Sequence, residues 1–236
     1  MTPHARQRHL EIDLLRTIAI LGMIAHHLCF DLYQFYDSGV HPWQGMWYVV
    51  ARSTSSLFLL LVGVSFAISS ARGGNTWSKA LKRTAKILAC ALMINAITYM
   101  LDPEQFIRFG ILHCIGVSAL LLPLLRPLRL WTIPLGAAVI AGGLAMKNTI
   151  VGTSLLIPLG FIPRDFHTFD YFPLLPWFGV ILLGYGLGYA WYIRRPTSPL
   201  PHPPLLQSLT WPGRHALPLY LLHQPVMLAM LWIIMG

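Results

Sequence analysis

The chain has 236 residues, 56% of them hydrophobic and only 11% charged, with a mean hydropathy of +0.60 and a formal charge of +9. A soluble domain carries about 25% charged residues, so this composition excludes a soluble globular protein and indicates a membrane protein. Apolar segments of about 20 residues recur along the whole length, which leaves room for a single transmembrane domain over 1–236 and no separate soluble one.

The first such segment, EIDLLRTIAILGMIAHHLCFD at 11–31, is long enough to cross a bilayer yet carries Asp13, Arg16, His26, His27 and Asp31. At 3.6 residues per turn, Asp13, Arg16, Ile20, Met23, His27 and Asp31 share one stripe, with His26 about a quarter-turn away. Ionisable groups near a bilayer centre cost at least about 2.5 kcal/mol each and therefore face protein or water. The stripe marks a candidate site; Asp13 and Arg16 also fit a plain anchoring pair at the interface. Seven long helices are predicted, an all-α polytopic bundle, at about 10–35, 46–71, 80–101, 107–125, 128–146, 172–194 and 214–235. Between the fifth and sixth, VGTSLLIPLGFIP at 151–163 is too short to cross and reads as a re-entrant or surface helix, or a loop with one turn in it. The connections 72–79, 102–107, 126–129 and 195–213 are short or rich in Pro and Gly. The basic N-terminus with its apolar run resembles a signal peptide, but no small-x-small cleavage site follows, so it is kept as the first helix. Cys29, Cys90 and Cys114 lie in apolar spans without a CxxC pairing, and buried thiols are expected.

Lysine and arginine orient the helices. With the N-terminus inside, inner ends carry Arg6, Arg8, Arg72, Lys79, Lys82, Arg83, Lys86, Arg126, Arg129, Arg194, Arg195 and Arg214. Outer ends carry only Arg108, Lys147 and Arg164, beside Asp37, Asp102, Glu104, Asp165 and Asp170. Twelve against three predicts the N-terminus in the cytoplasm and the C-terminus outside.

On that topology the polar residues gather toward the outer half: His27 and Asp31, His41 in the first outer loop, Arg52 in the second helix, His113, Asp170, and His223 with Gln224. Histidine exchanges protons near neutral pH, and a carboxylate bonded to it fixes its tautomer. His27 and Asp31 are i and i+4, so a direct contact is available. His41, beside Pro42, Trp43 and Gly45, is either a loop-borne catalytic group or a solvated histidine. Arg52 is an oxyanion-stabilising group or an arginine that snorkels to the interface. His113 is a second oxyanion candidate, and Asp170, His223 and Gln224 are substrate-binding candidates. His113 and His223 also fit helix–helix hydrogen bonding.

The inner segment RGGNTWSKALKRTAK places Lys79, Lys82, Arg83 and Lys86 together. Anionic lipid head groups explain it, and so does a phosphate site for a nucleotide-bearing donor; nucleic acid is not required. No HExxH or paired-ligand spacing is present, so no metal is expected. A transporter or channel for a small anion or a proton is the alternative use of the same His, Asp and Arg groups. It would ordinarily bring an internal repeat and interrupted helices in matching positions, and the sequence shows no repeat.

Five ordered blocks, EIDLLRTIAILGMIAHHLCFDL, ARSTSSLFLLLVGVSFAIS, RFGILHCIGVSALLL, DYFPLLPWFGVILLGYGLG and GRHALPLYLLHQPV, cover most of the chain. Together they resemble the bacterial members of the heparan-α-glucosaminide N-acetyltransferase catalytic-domain family, within the transmembrane acyltransferases. The resemblance implies transfer of an acetyl group from cytoplasmic acetyl-CoA across the membrane to an amine or hydroxyl, commonly of a sugar, in a bacterial inner membrane. In the lysosomal enzymes of that family the essential histidine lies in the loop after the first core helix, shortly before a Trp and Gly. His41 in HPWQG is the matching position, although Trp43 follows it by two residues rather than three. Those enzymes carry an asparagine near the end of that helix, where this chain has His26–His27, so His27 stands as the rival base or acyl carrier, with Asp31 to orient it. The oligomeric state stays open, a homo-oligomer included.

Overall fold

The computed structural model describes residues 9–73, 77–147, 149–193 and 204–236. Arg6, Arg8, Arg194 and Arg195, four of the cations that orient the chain above, lie outside the described residues. Every regular element described is helical: α1 Leu10–Tyr36, α2 Gly45–Ala71, α3 Trp77–Leu101, α4 Ile111–Leu125, α5 Thr132–Ala145, α6 Leu174–Tyr192, α7 Pro204–Leu209, α8 Trp211–Arg214 and α9 Ala216–Met235. Two isolated bridges, Phe109 with Tyr171 and Ile150 with Ile162, stand in place of strands.

Among the described residues six helical stretches are long and apolar enough to cross a membrane, the fourth being the 35-residue stretch Ile111–Ala145. The protein is an integral membrane helical bundle. Seven helices were expected, and the difference lies in that fourth stretch. It holds both α4 and α5, of 15 and 14 residues, about 22 and 21 Å at 1.5 Å per residue, each too short to count alone. Arg126–Trp131 joins them as a 3₁₀ segment that is broken at Arg129 (φ 48°, ψ −115°). Ile111 N lies on Asp170, just before α6, while Arg126 O lies on Tyr185, near its far end. In α5, by contrast, Gly136 packs on Gly179 and Gly143 on Pro176. Thus α4 and α5 run in opposite directions along α6, and the chain reverses where Pro127 and Arg129 interrupt the helix.

The chain divides into two compact units, Met1–Leu61 with Arg195–Gly236, and Val62–Arg194. In the first, the N-terminal half of α1 grips the α7–α8 turn. Thr17 Oγ1 donates to Leu209 O at 2.9 Å and receives Gly213 N at 3.0 Å. Asp13, only 6% exposed, pairs with Arg16 at 3.0 Å and with Arg214 at 3.7 Å. Gly213 is required there, because a Cβ would strike the Asp13 carbonyl. Asp13 and Arg16 are therefore anchors of this clamp. The connection 195–213 thus contains two short helices, with Pro212 near the start of the second.

In the second unit α3 lies antiparallel to α4, Thr84 Oγ1 donating to Gly116 O at 3.2 Å and Thr98 Oγ1 accepting Ile107 N at 3.2 Å. α5 and α6 meet at mutually close glycines, Gly136 and Gly179, where backbones touch as small residues permit in membrane helix pairs. Residues 151–163 form a loop with one 3₁₀ turn, Ser154–Leu159, closed by the Ile150–Ile162 bridge. Cys29 and Cys114 are buried and Cys90 is half-buried; all three are free thiols. Leu222, Val226, Met230 and Ile233 lie exposed along α9 and face lipid.

Candidate functional site

Past the clamp, α1 offers two faces. Residues 27 and 31 point to one side and residues 26, 30 and 33 to the other, about a quarter-turn or more apart. The first face meets α9. The His27 and His223 rings stand edge to face with centroids 4.8 Å apart. Gln224 Nε2 donates to Asp31 Oδ1, and Asp31 is 0% exposed.

The remaining atoms of this cluster are nearly all acceptors. His27 Nδ1 lies 2.9 Å from Met23 O and His223 Nδ1 lies 2.6 Å from Tyr220 O. Each Nδ1 is therefore the protonated nitrogen, and as a neutral imidazole each ring keeps its lone pair on Nε2. His223 Nε2, Gln224 Oε1 and Asp31 Oδ2 are all buried with no hydrogen-bond partner among the described residues. An acceptor buried without a donor costs about 1–3 kcal/mol, so each of the three atoms is suited to a group that donates, a water included. Pro225, which follows directly, has no N–H to give to Leu221 and loosens α9 at this level.

The contact expected between His27 and Asp31 is not made. The His27 ring turns back to the carbonyl one turn earlier, as helical side chains lean toward the N-terminus, and Asp31 is taken by Gln224. Asp31 therefore does not orient His27.

The second face meets the 37–44 loop and α2. His41 packs on the Tyr33 ring at 4.8 Å, Tyr33 packs edge-on against Trp43 at 5.6 Å, and Trp43 against Phe30 at 5.7 Å. Pro42 is buried beneath, while His41 itself is exposed. The guanidinium of Arg52 sits 5.4 Å from the Tyr48 ring centre. Among the described residues no hydrogen bond or ring contact joins His41 to His27. Gly22 lets α1 and α2 approach, since a Cβ there would meet Thr54 Oγ1.

A family profile described as "Heparan-alpha-glucosaminide N-acetyltransferase, catalytic" matches residues 8–225. The chain belongs to that family. No curated protein and no solved structure matches it. The heparan-α-glucosaminide N-acetyltransferase match spans all of α1 and the first half of α9, His223 and Gln224 included, and the family's chemistry is membrane acetyl transfer.

The remaining candidates of this acetyltransferase-family chain lie in the second unit. Asp170 Oδ2 accepts Ile111 N at 3.0 Å, so its carboxylate meets the start of α4. His113 Nδ1 accepts Gly110 N at 3.2 Å, which puts the ring proton on Nε2. Both groups thus finish the first turn of α4. The adjoining segments zip together, with Phe169 N on Gln105 O at 2.8 Å and Phe172 N on Phe109 O at 3.0 Å. Tyr171 donates its hydroxyl to Ile157 O at 2.8 Å, and burial pushes its phenol up to about 12. Lys79, Lys82, Arg83 and Lys86 form an exposed stripe on α3, opposite the buried Ala80 and Thr84. Sequence reasoning missed Tyr33 and Tyr171, and named Trp43 only as a neighbour of His41. The spacing of His26, Phe30 and Tyr33, i, i+4 and i+7, is the pattern that identifies the aromatic face.

Proposed function

We propose that 1–236 is one membrane-embedded acyltransferase domain that moves an acetyl group from acetyl-CoA to an amine or hydroxyl of an extracytoplasmic acceptor, a sugar. The observation that carries the reading is the cluster of His27, Asp31, His223 and Gln224 around the buried Asp31, whose buried unpartnered atoms all accept hydrogen bonds. An N–H or O–H nucleophile is the complement of such a cluster. Acetyl-CoA supplies an activated thioester. The chain supplies a base, an oxyanion donor and exclusion of water.

His41 is the base, or a transient acyl carrier, with His27 as rival. Its exposed ring, held by Tyr33 and Trp43, has the fixed orientation that proton transfer needs. It takes the proton as the acceptor attacks the acetyl carbonyl; the carbon–sulfur bond breaks and the CoA thiolate leaves. Arg52, or His113 through its Nε2–H, stabilises the developing oxyanion. Asp31, His223 and Gln224, on the α9-facing side of α1, hold the reacting group of the acceptor where His27 is the base and a more distant part of it where His41 is. Asp170 serves it through the order of the α4 turn. The stripe of Lys79, Lys82, Arg83 and Lys86 fits the donor's phosphates in charge and spacing. Its end of the second unit also bears Arg126 and Arg129, while Asp102, Glu104, Asp165 and Asp170 sit at the other end. This supports a cytoplasmic basic end and an N-terminus inside, in a bacterial inner membrane.

The test is release of CoA thiol by purified His41→Ala and His27→Ala proteins in detergent. Loss of the base lowers turnover by about 10²–10⁴, and full activity in both variants would overturn the assignment.

A further inference from the structure

We infer that Arg108 forms an oxyanion-binding site, taking a carboxylate or phosphate, with no part in the acyl transfer proposed above. Arg108 lies in the turn between α3 and α4. Its guanidinium carbon sits 4.9 Å from the Phe106 ring centre and 5.3 Å from that of Phe166. Each ring is braced in turn: Phe106 meets Tyr99 edge-on at 5.2 Å and Phe166 meets Tyr171 at 5.0 Å. The backbone beneath is pinned by Thr168 Oγ1 donating to Phe106 O at 2.9 Å and by Thr98 Oγ1 accepting Ile107 N.

Two acids of this part of the unit are already engaged. Asp102 accepts Glu104 N, Gln105 N and Gln105 Nε2, and Asp170 accepts Ile111 N. Among the described residues the half-buried Arg108 guanidinium makes no ion pair and no hydrogen bond, only its two ring contacts. Aromatic faces attract the cation but satisfy none of its N–H groups. A planar fork of five donors, held against two rings, matches two oxygens of one anion and loses little side-chain entropy on binding it. Such a group is carried by a soluble anion or by a phospholipid head group, and the experiment separates the two.

The full chain is treated with phenylglyoxal and adduct formation at Arg108 is followed by mass spectrometry. In neutral detergent, acetate or inorganic phosphate slows the adduct several-fold relative to sodium chloride of equal ionic strength. Protection found only in phosphatidylglycerol nanodiscs, and absent from phosphatidylcholine ones, upholds the site and assigns it to the lipid head group. Phe166→Leu raises the anion concentration needed by about threefold to tenfold, the worth of one cation–π contact. Should that variant not fold, Arg108→Lys gives a second reading: anion-dependent thermal stabilisation seen in the parent is lost although the charge remains. Equal adduct rates in all anions and both lipids would overturn the site. None of these readouts uses acetyl transfer, so they stand or fall separately from the proposed reaction.

Discussion

Among the described residues Gln224 is the one side chain that donates to Asp31, and it reaches Oδ1 only, leaving Oδ2 buried without a partner. Asp31→Asn keeps an oxygen for Gln224 and turns the other, unpartnered position into an N–H donor. It is expected to raise stability by about 0.5–1.5 kcal/mol, the net worth of a hydrogen bond, while acceptor turnover falls. Thermal unfolding in detergent and CoA release measure the two; a loss of both would show that Asp31 is purely structural.

The clamp between α1 and the α7–α8 turn predicts a different pattern. Thr17→Val removes one hydroxyl that serves both Leu209 O and Gly213 N, and should cost about 1–3 kcal/mol. Gly213→Ala drives a methyl into the Asp13 carbonyl and should cost a comparable 1–3 kcal/mol by overpacking. Both should speed proteolysis of the 195–213 connection. Unchanged cleavage in both would remove the clamp from the account of stability.

Much of this was legible in the chain itself. α1 could be drawn within a residue or so because its apolar run is long and the Asp37–Gly39 turn follows it. The boundary of α4 and α5 was marked by Pro127, although their shortness was not. Less legible were partners set by contacts remote in sequence. Spacing alone allowed His27 to reach Asp31, and only the presence of Gln224, 193 residues later, shows why Asp31 turns elsewhere. Asp170 looked like a cavity acid for the same reason. Its partner, Ile111 N, is 59 residues away and is brought to it by backbone pairing that leaves no side-chain pattern.

Asp170→Ala should therefore act on the fold before it acts on substrate. Loss of a carboxylate at a helix start costs about 0.5–2 kcal/mol, and Asp170→Asn should recover part of it by accepting Ile111 N through its amide oxygen. A lower unfolding temperature with an unchanged KM fits this role. A raised KM at unchanged stability would instead make Asp170 an acceptor ligand.

Tyr171 predicts a pH dependence at the alkaline end. Its folded pKa, about 12, stands above the ordinary phenol value because burial disfavours the phenolate. The unfolded chain therefore releases this proton first. The stability it contributes is complete below about pH 10 and is lost as pH rises toward 12. Tyr171→Phe should be less stable than the parent at pH 8 and should lose less between pH 10 and 12. Parallel unfolding curves for the two proteins across that range would remove Tyr171 as the cause.

His41 and Tyr33 give the sharpest test of the catalytic proposal. The His41 ring rests on Tyr33, and Tyr33 is steadied by Trp43, so the platform works through aromatic surface rather than through the phenol. Tyr33→Phe keeps that surface and should retain most activity. Tyr33→Leu removes it and should lower kcat about tenfold, since displacing a catalytic group by about 1 Å costs up to 10². Because Tyr33 holds the base and not the acceptor, KM should stay near that of the parent. If Tyr33→Leu instead raises KM and leaves kcat alone, the aromatic face binds acceptor, and the base is to be sought at His27.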